Sequence, residues 1–103
     1  MTPRFVFHPA ARDDVREALA WYDAQRVGLG DELLEIVRAA IDRIGEFPDL
    51  YPEVIPGVRR AVLSRFPYAL FYRPHSSQAN TIEILAVFHH RRDPATWHRR
   101  AAV

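Results

Sequence analysis

The sequence contains no cysteine and no lysine among its 103 residues. The lack of cysteine excludes disulfide bonds and thiolate chemistry, so the fold must be stabilised by packing. The lack of lysine means that all 14 basic side chains are arginines, whose planar guanidinium groups suit phosphate or carboxylate. No apolar run is long enough to span a bilayer, and the first residues are too short for a signal peptide. We therefore expect a cytoplasmic protein without a membrane segment.

The length predicts a single domain over residues 1–103, and the composition is typical of a globular protein. The net charge of +1 hides an asymmetry between the two halves of the chain. Residues 1–55 carry eleven acidic residues and six arginines, whereas residues 56–103 carry eight arginines and two acidic residues. A basic C-terminal half indicates a polyanionic partner, either nucleic acid or an acidic protein segment. The alternative is that acidic helices lie next to a basic sheet without any such partner.

Apolar spacing in the first half predicts a short strand over Arg4–His8 followed by two helices. The first helix begins at Pro9, a residue that is tolerated at the first helical position, and runs to about Gln25. Two glycines then interrupt the chain, and Asp31 is the predicted N-cap of a second helix that ends near Gly45. We expect an antiparallel hairpin whose apolar stripe is buried against a sheet. That stripe comprises Leu33, Leu34, Val37, Ala40, Ile41 and Ile44, and burial is predicted in particular for Leu34, Val37, Ile41 and Ile44.

The second half alternates in the way that strands do, with predicted strands over Val58–Ser64, Tyr68–Arg73 and Thr81–His89. The proline-rich segment 49–57 is a predicted loop, and a short helical tail is predicted to carry Trp97. The predicted fold is α+β in the order β-α-α-β-β-β. It has a small twisted sheet, mostly antiparallel, with a two-helix hairpin on one face. Little of this chain is then expected to cover the other face of the sheet. That face must be either a binding surface or a surface whose exposure is unfavourable.

Arginines on or beside the C-terminal strands are the first candidates for a binding surface. Strand alternation places Arg59 and Arg65 on one face of the sheet and Arg60 on the other, while Arg73 ends the next strand. Such a surface suits phosphate or an acidic peptide. The alternative is that arginine stems cover a sheet edge with their charged ends in water. Most aromatic residues are expected in the core, and Tyr72 is the one candidate for a surface position.

Two adjacent histidines, His89 and His90, follow the last predicted strand. Neighbouring strand residues point to opposite faces, and no cysteine or H-E-x-x-H pattern accompanies them, so we predict no metal site. Either histidine is a candidate general acid or base near neutral pH. The alternative is that His89 packs inward while His90 caps a charge. Because the sequence also lacks a glycine-rich phosphate loop, no cofactor is expected.

The element order and several stretches resemble the RelE/ParE toxin superfamily of type II toxin–antitoxin systems, closer to the ParE branch. The stretches are Val58-Arg59-Arg60, the run from Arg65 to Arg73, and the run from Ile84 to Pro94 with Trp97. This resemblance implies a growth-inhibiting toxin of the kind linked to plasmid stabilisation. It also implies a cognate antitoxin whose C-terminal segment occupies the sheet groove of the toxin.

The resemblance implies two alternative targets, which define the two branches of the superfamily. The cleaving branch cuts mRNA on the ribosome without a metal and carries an arginine where this chain has Ala69. Its basic residue on the preceding strand is matched by Arg60 but not by Val62, and its Arg or His near the end of the last strand is matched by His90. The prediction is therefore a non-enzymatic, ParE-like inhibitor of DNA gyrase. The alternative is a metal-independent endoribonuclease using His90 and Arg65.

The residues expected to contact the target or the antitoxin lie on the basic strands and beyond the last strand. They are Arg59, Arg60, Arg65, Tyr72, Arg73, His90, Arg91, Arg92 and Trp97.

Overall fold

The computed structural model describes residues 2–90, 92 and 94–101. Arg91, which was predicted to contact the target, lies outside the described residues. The elements are β1 (Arg4–Phe7), α1 (Pro9–Gln25), α2 (Leu29–Glu46), β2 (Glu53–Ile55), β3 (Val58–Val62), β4 (Tyr68–Pro74), β5 (Thr81–His89) and α3 (Ala95–Ala101). The predicted α+β class is confirmed, and the predicted tail is helical. None of the described helices is both long enough and apolar enough to cross a membrane.

The sheet has five strands in the order β1-β5-β4-β3-β2. β1 runs parallel to β5, and the other neighbours are antiparallel. The segment 49–57 was predicted to be a loop, and this is wrong for Glu53–Ile55, which forms β2 at the sheet edge. Pro52 and Pro56 flank this short strand, and proline is tolerated at a sheet edge because no ladder bond is lost there.

The two helices begin with different caps. His8 precedes α1, and its Nδ1 accepts a hydrogen bond of 3.1 Å from the Ala10 amide, with Pro9 as the first helical residue. Gly28 precedes α2 with a φ of 90°, which is the left-handed region that glycine tolerates. The prediction of Asp31 as the N-cap is therefore wrong. Asp31 lies in the first turn, where its carboxylate faces the positive end of the helix dipole.

The helical hairpin covers one face of the sheet and forms the main core with it. In the predicted apolar stripe, Val37 and Ile44 are buried as expected. Leu34 and Ile41 are only half-buried, because α2 packs alongside α1 and these two side chains line a groove between the helices. The groove also has an arginine rim, formed by Arg12, Arg16 and Arg38.

The second face of the sheet is covered in part, by a helix of seven residues. The helix α3 folds back onto it, and Trp97 is 3% exposed and stacks on Phe71 with ring centroids 4.2 Å apart. Together with residues from β3, β4 and β5 they form a second buried cluster, namely Val58, Ala69, Phe71, Leu85, Ala86, Phe88 and Trp97. Burial of one large aromatic side chain supplies the driving force that holds so short a helix in place.

A β-bulge in β5 decides which of its residues face each cluster. Ile84 pairs with Tyr72 and Ala86 pairs with Phe71, so Leu85 is an extra residue without a partner on β4. The bulge shifts the alternation by one residue. Ile84 therefore contributes to the main core, whereas Leu85 and Ala86 both contribute to the second cluster.

Candidate functional site

A cleft of about 370 Å³ opens on the second face of the sheet, beside α3. It is formed by side chains from four strands, by the turn that follows β5 and by the C-terminal helix. The lining residues are Val54, Arg60, Val62, Pro67, Tyr68, Ala69, Phe71, His89, His90, Arg92, Pro94, Trp97 and His98. This set brings together four of the residues predicted to contact the target or the antitoxin, namely Arg60, His90, Arg92 and Trp97. It also contains Ala69, the position where the cleaving branch is expected to carry an arginine.

The floor of the cleft is apolar and its rim is cationic. Ala69 and Phe71 are buried on β4, and Arg60 on β3 is exposed and lies opposite Phe71 in the strand register. The guanidinium of Arg92 lies 4.6 Å from the Phe88 ring centroid, which is cation–π distance. Val62 is 68% exposed next to Arg60 along the rim. The cleft therefore presents positive charge around an apolar surface.

The two adjacent histidines share the cleft, contrary to the prediction that they point to opposite faces. Their rings stack with centroids 4.7 Å apart, because β5 ends at His89 and the chain turns at His90. The Nδ1 of His90 lies 3.1 Å from the Pro67 carbonyl, which only accepts hydrogen bonds. Nδ1 is therefore the donor in this contact, which leaves Nε2 as the ring nitrogen that the Pro67 carbonyl does not engage. Within residues 2–90, 92 and 94–101, no three potential ligands group into a metal site.

Two further cleft residues, Tyr68 and His98, were not predicted from the sequence as site residues. Burial raises the pKa of the Tyr68 hydroxyl above its ordinary value of 10.0, so the phenol keeps its proton further into the alkaline range. Its ring lies edge-on to His89, with centroids 5.3 Å apart. His98 packs edge-on against Trp97 from within α3. The sequence signal for His98 was its position next to Trp97. This position becomes informative only once α3 is known to cover the sheet.

Arg59 and Arg65 lie on the opposite, helix-covered side of the sheet and are bound within the chain. Arg59 donates from Nη1 to the Tyr51 carbonyl at 2.6 Å and to the Asp49 carbonyl at 3.3 Å, which ties down the loop before β2. Arg65 donates from Nη2 to Glu32 at 2.7 Å. The hydrogen bond from Arg65, followed by one from Arg26, lowers the pKa of Glu32. The predicted alternation of the arginines is thus confirmed, but they do not form one surface.

Tyr72 and Arg73 also have structural contacts within the chain. The prediction that Tyr72 lies at the surface is wrong, because strand alternation turns it into the main core, where it is 2% exposed. Its hydroxyl donates to the Pro48 carbonyl at 2.7 Å, and burial raises the pKa of Tyr72 to about 12. Arg73 donates to Glu83 at 3.0 Å and to the Ala101 carbonyl at 2.7 Å.

The chain matches the family model described as "ParE toxin of type II toxin-antitoxin system, parDE" over residues 5–94. It therefore belongs to the ParE toxin family of type II toxin–antitoxin systems, and the predicted resemblance is confirmed. Membership of this family implies a cognate antitoxin as partner. A comparison with curated proteins gives no match.

Two solved structures share the fold at low sequence identity. One is from the "Chromosomal ParDE TA system from P. aeruginosa", with a TM-score of 0.71, 16% identity, and coverage of 85% of this chain and 96% of that chain. The other is a mutant of the E. coli toxin RelE in the free state, with a TM-score of 0.71, 15% identity, and coverage of 99% and 96%. The two structures have the same TM-score, so backbone similarity does not separate them.

Proposed function

We propose that this toxin is a ParE-like protein that inhibits DNA gyrase by binding it, without cleaving RNA. The observation that carries the proposal is the position of Arg65. Cleavage of RNA needs charge stabilisation at the reacting phosphate, and the cleaving branch has an arginine where this chain has Ala69. Arg65 was the candidate to replace it, but its guanidinium is held by Glu32 of α2, on the side of the sheet away from the cleft.

The remaining surface of the cleft suits contact with a protein. Val62 and the apolar floor offer area for a hydrophobic contact, and Arg60 and Arg92 flank that area with charge. An interface of this kind combines an apolar centre with a polar rim. Toxicity would then depend on contact area and charge complementarity, and not on proton transfer.

The alternative is a ribosome-dependent mRNA endoribonuclease, and one observation favours it. His89, His90 and His98 line the same cleft as Tyr68, so groups able to transfer protons lie close to the cationic rim. In that case the Nε2 atom of His90 is the best-placed general acid or base, because Nδ1 is occupied by the Pro67 carbonyl.

One set of variants separates the two activities. The wild type, His90→Ala and the double variant Arg60→Ala/Arg92→Ala are expressed without antitoxin and assayed for gyrase poisoning and for ribosome-bound mRNA cleavage. Gyrase inhibition should survive His90→Ala, and it should fall at least about 10-fold in the double variant, as loss of two interface charges does. Arg12→Ala/Arg38→Ala, which removes two exposed arginines away from the cleft, is the charge-matched control. Messenger RNA cut by the wild type but not by His90→Ala would overturn the gyrase proposal.

We propose that the antitoxin contacts the groove between α1 and α2 in addition to the cleft. The groove is apolar along Val15, Leu34 and Ile41, and the arginines at its rim call for carboxylates on the partner. An amphipathic helix with one acidic edge has this chemistry.

Arg59 and Arg65 were also expected to attract the antitoxin, but both guanidinium groups are bound within the chain. Arg12→Glu/Arg38→Glu should weaken antitoxin binding at low salt and leave toxicity intact; unchanged affinity would contradict the assignment.

A further inference from the structure

The part of β5 that follows Ile84 has a strand on only one side. β1 pairs with β5 from Arg4 opposite Thr81 to Phe7 opposite Ile84, and there β1 ends. Beyond this point β4 occupies one side of β5, and the described residues place no strand on the other. Backbone groups at such an open edge need other hydrogen-bond partners, because burying them unpaired is unfavourable.

An ion pair between distant parts of the chain supplies those partners. Asp14 of α1 accepts a hydrogen bond of 3.0 Å from the Val87 amide, and Arg100 of α3 donates one of 3.0 Å to the Leu85 carbonyl. Arg100 also donates to both carboxylate oxygens of Asp14, at 2.6 Å and 3.2 Å. Leu85 is the bulged residue. The backbone groups at and next to the bulge therefore bind the side chains of Arg100 and Asp14 instead of a neighbouring strand.

The pair is buried, and each of its members has its partners. The side chains of Asp14 and Arg100 are 6% and 13% exposed, and the Arg100 guanidinium also lies 4.9 Å from the Phe88 ring centroid. A guanidinium can serve a carboxylate and a carbonyl at once because its donors are fixed in a fork. The interaction therefore has a defined geometry that links α1, β5 and α3.

The helix α3 depends on such contacts to remain in place. It has only seven residues, too few for a helix to be stable without tertiary contacts. Contacts between described residues that attach it include the stack of Trp97 on Phe71, the Arg100 interactions, and the hydrogen bond from Arg73 to the Ala101 carbonyl. Trp97 and His98 of this same helix form one wall of the cleft.

We propose that Asp14 and Arg100 are positioning residues for the cleft. They hold α3 against the open edge of β5, and by doing so they place Trp97 and His98 as the cleft wall. Neither residue lines the cleft, so both act through α3. This role does not depend on whether the cleft binds gyrase or RNA.

The position of α3 can be followed through Trp97. The sequence has two tryptophans, and the other, Trp21, is 58% exposed, so Trp21→Phe leaves Trp97 as the only reporter. In this background, Arg100→Met is compared with Arg99→Met. Arg99 is the matched control because it is an exposed neighbour whose hydrogen bond, among the described residues, goes to the Ala95 carbonyl of its own helix. The measurements are Trp97 emission, acrylamide quenching and amide hydrogen exchange.

Arg100→Met should shift Trp97 emission to the red, raise quenching at least about 2-fold and speed amide exchange in α3 at least about 10-fold, as local opening does. Amides of β3 and β4 should stay protected, and Arg99→Met should resemble the background. Arg100→Lys keeps the charge but not the fork, so it should lie between the two. In cells, the Arg100→Met variant should lose toxicity and the Arg99→Met variant should keep it. Toxicity should be lost whether the target is gyrase or RNA, because either target would need the cleft wall.

A second variant keeps the proposal testable if Arg100→Met unfolds. Asp14→Asn retains an acceptor for the Val87 amide but removes the ion pair, so it should release α3 partially in a folded protein. Protection of α3 equal to the Arg99→Met control in both variants would overturn the proposal. Equal loss of protection in α3, β3 and β4 in both variants would also overturn it, because the pair would then support the whole fold.

Discussion

Replacement of Tyr72 by phenylalanine tests whether this side chain belongs to the core, and the expected effect changes sign with pH. At pH 7 the variant loses the hydrogen bond to the Pro48 carbonyl and leaves that acceptor unpaired. A net hydrogen bond of this kind contributes about 0.5–1.5 kcal/mol, so Tyr72→Phe should be less stable by about 1 kcal/mol. The ring and its packing against Tyr51 are retained, so little else should change.

In alkaline solution the order of stability should reverse. Burial raises the pKa of Tyr72 from 10.0 to about 12, so the unfolded chain loses this proton before the folded one does. The hydroxyl's stabilising contribution is therefore fully present below pH 10 and is lost as the pH rises toward 12. Each pH unit in this window removes up to about 1.4 kcal/mol from the wild type and nothing from the phenylalanine variant. The two stabilities should cross between about pH 10 and 11, so that the phenylalanine variant is the more stable protein at pH 11.

Urea denaturation followed by far-ultraviolet circular dichroism at pH 7, 9, 10 and 11 measures this difference, and comparing variants cancels the titration of other groups. Tyr51→Phe is the matched control, since Tyr51 is the neighbouring ring and its side chain is less buried. A stability difference that stays constant across the pH range would refute the argument. So would a Tyr72→Phe variant as stable as the wild type at pH 7, because Tyr72 would then behave like a surface residue.

Two further predictions concern α2. Ile44→Ala removes a completely buried side chain and should lower the free energy of unfolding by about 3–5 kcal/mol. Ile41→Ala removes a half-exposed side chain at the groove and should lower it by about 2 kcal/mol or less. Equal thermal shifts for the two variants would contradict the packing described. Gly30→Ala should destabilise the protein by about 1–3 kcal/mol, although alanine has the higher helix propensity. The reason is that the new Cβ would lie 2.8 Å from the Asp23 carboxylate, which accepts a hydrogen bond from the Gly30 amide. A raised melting temperature for Gly30→Ala would show that this contact relaxes freely.

The fold could be predicted from the sequence largely because its signals are local. Periods of 3.6 and 2 residues located α1, α2, β4 and β5 to within a few residues, and β5 was correctly placed inside the sheet because it is apolar on both faces. The capping of α2 was predicted less well, because a left-handed glycine and an aspartate three residues later give competing signals for the same start.

The site was harder to predict because its geometry depends on contacts between distant parts of the chain. Strand alternation correctly placed Arg60 and Arg59 on opposite faces, but no periodicity shows that Arg65 meets Glu32 across 33 positions. The cover of the second face depended on a seven-residue helix, whose attachment requires Asp14 and Arg100 to meet across 86 positions. The stacking of the two histidines follows from where β5 ends, and end positions are the least certain feature of a predicted strand.

The charge asymmetry of the chain acquires a narrower meaning once the arginine contacts are known. Several arginines of the basic half form hydrogen bonds within the chain, namely Arg59, Arg65, Arg73, Arg99 and Arg100. Many of their acceptors are backbone carbonyls at loops, bulges and helix ends. They satisfy acceptors that strands and helices leave open, which is a structural role for a planar donor. Among the described arginines of the basic half, Arg60 and Arg92 are the ones that line the cleft. An excess of arginine thus supports a polyanionic partner only to the extent that the fold leaves the guanidinium groups facing outward.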